Sequence, residues 1–90
     1  MGTSRVFHNI SPSTWLRIKA SSEQERGTNY SGDHVGTAVT ATPVGAIRIA
    51  YEYNATRETV EYTIIEKPRL VGEFLIWGRI EQTIFLCRAG

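Results

Sequence analysis

Ninety residues, 41% of them apolar and 21% charged, suit one small globular domain and exclude a disordered chain. Ten basic side chains against nine acidic ones leave a net charge of +1, which provides no long-range field to attract nucleic acid or an anionic membrane. A single cysteine, Cys87, excludes an internal disulfide, and no stretch has the length and apolarity of a bilayer span or a leader's core, so the chain reads as cytoplasmic.

The first predicted element is a helix over 12–26. Ser11 is placed as its N-cap, and Pro12 at the first helical position gives up only an amide that has no helical partner. Ile10 before the cap and Trp15 inside have the spacing of a hydrophobic staple. Trp15, Ile18 and Ser22, with Leu16 and Ala20 beside them, make a modest apolar stripe. Gly27 is a natural stop, preceded by Arg26 at the negative end of the helix. Leu16, Ile18 and Ala20 also alternate with Arg17 and Lys19 as in a strand; the cap, proline and staple decide for helix.

Thr28 to His34 carries no periodicity and reads as a loop. Over 35–42 the small and β-branched run Val-Gly-Thr-Ala-Val-Thr-Ala-Thr suits a strand, and its glycine and threonines suggest an edge or solvent-facing one. Pro43 and Gly45 mark a turn. The next two stretches, 45–53 and 58–66, alternate most regularly. Ile47, Ile49, Tyr51 and Tyr53 oppose Arg48, Ala50 and Glu52, while Val60, Tyr62 and Ile64 oppose Thr59, Glu61 and Thr63. The polar link from Asn54 to Glu58 has hairpin length. Lys67-Pro68 ends the third strand.

A second helix is predicted over 73–88. Ile76, Ile80, Thr83, Ile84 and Cys87 form a buried stripe, with Glu73 near the start, Arg88 near the end and Gly90 just past it. Phe74, Leu75, Trp77, Phe85 and Leu86 widen the apolar surface well beyond one face, and a hairpin through Gly78 competes with the helix. The fold class is therefore α+β: an N-terminal helix, a three-stranded antiparallel meander, and a C-terminal helix on the same face of the sheet.

Reactive groups are few. Cys87 with His8 or His34, oriented by Asp33, is the one conceivable nucleophile pair, but Cys87 falls on the buried stripe, where a thiol is inert. His8, Asp33, His34 and Cys87 lack the spacing of a metal site, and the glycines match no phosphate loop, so no metal and no cofactor are expected. Glu52 and Glu61 lie on neighbouring strands and point to water rather than into a catalytic cleft. Arg17, Lys19, Arg26 and Tyr30 form no nucleic-acid stacking motif. Asn9, Asn29 and Asn54 each stand two residues before Ser or Thr, a glycan acceptor pattern that the turn preferences of these residues also explain.

The functional expectation is a non-catalytic interaction module. Phe74, Trp77, Phe85 and Leu86 would dock a partner protein or a second copy of the chain, with no nucleic acid and no membrane involved. The alternative is a ligand-binding or enzymatic domain with a cleft between sheet and helices, lined by Tyr51, Tyr53, Tyr62 and His34.

Overall fold

The computed structural model describes residues 3–89. The elements run β1 (Ser4–Phe7), α1 (Pro12–Arg26), β2 (Asn29–Ser31), β3 (Val35–Thr42), β4 (Gly45–Asn54), β5 (Thr59–Glu66) and α2 (Glu73–Ala89). The molecule is α+β, with two helices and one antiparallel sheet of five strands in the order β1-β5-β4-β3-β2. The sheet thus corrects the three-strand reading at both edges. Asn29–Ser31, taken as loop, pairs with β3, and Ser4–Phe7 pairs with β5. β3 is consequently an inner strand, not an edge. Gly90, read as lying just past the second helix, falls outside the described residues. None of the described helices is long and apolar enough to cross a membrane.

Local chemistry sets the ends of α1. The Ser11 hydroxyl accepts the Thr14 amide at 3.2 Å, Pro12 takes the first turn, and Gly27 closes the helix at φ 64°, a left-handed conformation that glycine adopts without strain. The Thr28 amide returns to the Ser22 carbonyl, satisfying one of the helix's terminal acceptors.

Strand register assigns the two faces of the sheet. Tyr51 lies opposite Tyr62 and Gly36, Tyr53 opposite Val60, Ile49 opposite Ile64 and Ala38, and Arg5 and Phe7 opposite Tyr62 and Val60. Both helices cover this face: Trp15 of α1 packs its ring on Tyr51, Tyr53 and Tyr62, while Trp77 of α2 meets Phe7 and lies under the Arg5 guanidinium. Arg5 also pairs with Glu81 at 2.9 Å, fastening the first strand to the last helix. The opposite face carries Val6, Val35, Thr37, Val39, Arg48, Ala50, Glu52, Glu61 and Thr63. Val39 is half-buried there, opposite Arg48.

The helices run antiparallel. Arg17 donates to the Cys87 carbonyl at one end of the pair, and Arg26 to the Arg79 carbonyl at the other. The space between sheet and helices therefore has two distinct ends.

Candidate functional site

At the first end the space is filled. Trp15 stacks on Tyr53 with ring centroids 5.2 Å apart and an interplanar angle of 11°, and Tyr30 and Tyr51 meet it at steeper angles. The hydroxyls of two of these tyrosines are satisfied. Tyr53 donates to the Ile10 carbonyl at 2.7 Å, and Tyr51 to the Ser31 carbonyl at 2.6 Å. Gly36 is what lets Tyr51 through: a Cβ there would stand 1.7 Å from the Ser31 carbonyl oxygen and 3.0 Å from the Tyr51 hydroxyl. The indole N–H groups of Trp15 and Trp77 have no acceptor among the described residues, and nothing in the structure explains why.

At the other end lies a cavity of about 490 Å³ between α1, the β3–β4 hairpin and α2. Its deep wall consists of the buried Ile18, Ala38, Tyr62, Ile76 and Thr83, and its outer rim of the exposed Pro43, Val44, Leu75 and Arg79. The loop between β5 and α2 closes one side. Pro68 sits so near Gly45 that a Cβ on that glycine would meet it at 3.1 Å. The volume lies within the roughly 300–1,000 Å³ typical of small-molecule sites. Ile47, Ile49 and Ile80 are only half-buried because they face this space.

The wall's threonines are occupied with the protein itself. Thr28 and Thr40 share a hydrogen bond of 2.6 Å, Thr83 donates to the Arg79 carbonyl at 3.0 Å, and Thr42 to the Gly45 carbonyl at 2.6 Å. What they present to the cavity is therefore largely methyl. Tyr62 differs. It is 4% exposed, it lines the deep end, and its hydroxyl has no hydrogen-bond partner among the described residues. Burial holds its phenol well above the ordinary tyrosine value, with nearby Tyr30, Cys87 and Tyr51 adding to the effect. Burial also raises Tyr30, which lines the cavity too, and the Ser22 side chain beside it acts in the opposite direction. These phenols keep their protons and can donate, but they make poor bases.

The residues expected at a cleft therefore separate. Tyr62 lines the cavity, whereas Tyr51 and Tyr53 belong to the packed end. His34 is exposed; its carbonyl accepts the Tyr53 amide at 2.6 Å, and its ring lies 5.3 Å from that of Tyr53, away from the cavity. The residues expected to dock a partner separate as well. Trp77 is 3% exposed and part of the core, because helix phase turns it inward beside Ile76 and Ile84 toward Phe7. Phe74, Phe85 and Leu86 stay outside at 83%, 66% and 59% exposure. Cys87 is buried, which raises its thiol, and Arg17 nearby partly offsets this. Glu52 and Glu61 face each other across β4 and β5 on the open side of the sheet, both exposed.

The chief wall residues that sequence reasoning missed are Ala38, Thr40, Ile47, Ile49, Arg26 and Arg79. A signal for the first two was present. Gly36, Ala38 and Thr40 give β3 a core-facing row of small side chains, and such a row leaves room wherever no large residue reaches across.

Compared with known proteins, the chain matches no family model, and it has no significant match among curated proteins or solved structures. The functional reading rests on the cavity and the surface alone.

Proposed function

We propose that the protein binds a small, mainly apolar molecule in the cavity between sheet and helices, as a carrier or sensor and not as a catalyst. The observation that carries this reading is the apolar cavity of about 490 Å³, with the buried Tyr62 among its wall residues. Water lying against these mainly apolar walls is held less favourably than water in bulk. An apolar ligand gains the transfer free energy instead, and an oxygen at its inner end would accept from Tyr62. The wall's chemistry is of a binding kind: aliphatic groups, self-satisfied hydroxyls, tightly protonated phenols and two guanidiniums.

The test uses N-phenyl-1-naphthylamine, a neutral dye that fluoresces in apolar sites. The expected result is saturable binding at one dye per chain, abolished by Ala38→Phe, which fills the cavity while leaving the thermal midpoint near that of the parent. Dye binding that Ala38→Phe leaves unchanged would overturn the reading.

A second reading concerns the outer face of α2, where Phe74, Gly78, Gln82 and Phe85 fall at helical spacing with Leu75 and Leu86 alongside. A second copy of the chain is the proposed occupant. Gly78 has nothing within 4 Å of its Cβ position, leaving room for a close helix crossing. The four large side chains expose on the order of 500 Å², short of the ~800 Å² per partner of a stable interface, so the dimer would be weak. Sedimentation equilibrium should show concentration-dependent mass that Phe85→Ser removes; a constant monomer mass at millimolar concentration would refute it.

A further inference from the structure

We infer that the ligand of this cavity carries an anionic group at its outer end, received by Arg26 and Arg79. The inference rests on the cavity being a binding site and adds the chemical class of its occupant.

Among the cavity's wall residues the two arginines are the charged ones, and they come from different elements. Arg26 leaves the last turn of α1 half-buried and reaches across to α2, where its Nη2 donates to the Arg79 carbonyl at 3.5 Å. That contact uses one of five guanidinium donors. Arg79 stands on α2, exposed at the rim. Neither forms an ion pair among the described residues, whereas Arg5, Lys19 and Arg48 pair with Glu81, Asp33 and Glu66. The acid whose charge reaches this wall is the exposed Glu23, one turn back on α1, which acts on Tyr30.

Arg26 has a structural use, since a cation in the last turn of a helix opposes the helix dipole. Arg79, in the body of α2, has no such use. Two like charges on the wall of one apolar cavity repel each other, and neither is neutralised by an ion pair among the described residues. An anion between them removes the repulsion and takes up the free donors, and planar guanidiniums suit carboxylate, sulfonate or phosphate oxygens in particular. With a net charge of +1 the protein as a whole exerts little pull on an anion, so recognition is confined to this mouth. The ligand is thus an anionic amphiphile: apolar body inward against Ile18, Ile47, Ile49 and Ile76, charged group outward.

The test compares two dyes with the same ring body, neutral N-phenyl-1-naphthylamine and 8-anilinonaphthalene-1-sulfonate, which carries one sulfonate. The sulfonate dye should bind about tenfold tighter or more, the usual size of a charge-assisted contact. Arg79→Gln should erase most of that preference, Arg26→Gln a comparable share, and Arg26→Lys less, the preference being read in each variant as the ratio of its affinities for the two dyes. Far-UV circular dichroism of each variant confirms the fold, and Arg79→Gln, at an exposed position, keeps the test informative if Arg26→Gln unfolds. Equal affinities in the parent protein, or a sulfonate preference that survives both changes, would overturn the anionic end while leaving the cavity reading intact. Sulfonate-dye binding unchanged in Ala38→Phe, or no binding of either dye, would remove both.

Discussion

The two ends of the space beneath the helices are built from the same sheet and the same two helices, yet one is solid and the other hollow. At the solid end Trp15, Tyr51 and Tyr53 interlock, with Tyr30 at their edge, and the hydroxyls of Tyr51 and Tyr53 reach backbone carbonyls. At the hollow end β3 contributes Ala38 and Thr40, α1 contributes Ser22, and Ile47, Ile49 and Ile80 border open space. Native interiors are packed about as densely as organic crystals, so a gap of this size flanked by a well-packed core is a feature of the fold and not general looseness. One end holds the fold together; the other is free to bind.

The contrast can be broken most severely at Trp15. Trp15→Ala should cost about 3–5 kcal/mol, a large part of what a chain of this length can lose. Ile80→Ala at the hollow end should cost about 1 kcal/mol, since that side chain is half-buried and already borders empty space. Urea denaturation of the two variants measures the difference, and equal losses would mean that the ends are packed alike.

Alkaline pH probes the phenols of both ends together. Burial raises Tyr30, Tyr51, Tyr53 and Tyr62 above the unfolded value of 10.0. Their neutral forms are favoured by the fold, so this contribution to stability is complete below pH 10 and is lost as pH climbs through the raised values. Ultraviolet titration should show the four phenols ionising late and together with unfolding; stepwise ionisation near pH 10 in a folded chain would contradict their burial.

A finer comparison sets two tyrosines against each other. Tyr53→Phe should cost about 1–2 kcal/mol, because it leaves the buried Ile10 carbonyl without the hydroxyl's hydrogen bond. Tyr62→Phe should change stability by less than about 0.5 kcal/mol or raise it, because its hydroxyl has no partner to lose. Chemical denaturation distinguishes them, and a larger loss for Tyr62→Phe would show that its hydroxyl is engaged.

Much of the framework was legible because it depends on local chemistry. Ser11, Pro12 and Gly27 bound α1 through their own hydrogen bonds and dihedral angles, and the alternation around Tyr51 and Tyr62 fixed which sides of β4 and β5 face the core. The edge strands were not legible. β1 is four residues long and turns Arg5 toward the helices, where Trp77 and Glu81 accept it; β2 is three residues long and mostly polar. Only neighbouring strands make such segments extended. The phase of Trp77 was lost for a different reason: α2 is apolar on nearly every side, so no stripe stands out to orient it. The cavity was hidden because empty space is a property of three elements together. Tyr62 was singled out as a cleft residue, but Arg26 was read as a helix-ending charge and weighed only against nucleic-acid binding, and nothing in the chain places Arg79 beside it.

The most direct measurement is a methyl-resolved nuclear magnetic resonance titration with N-phenyl-1-naphthylamine. The methyls of Ile18, Ile47, Ile49, Ile76 and Ile80 should shift and saturate at one equivalent, while those of Ile10 and Ile84, sealed in the solid core, stay in place. Shifts centred on Ile10 and Ile84, or no saturable shift at the cavity isoleucines, would show that the hollow end is not a binding site.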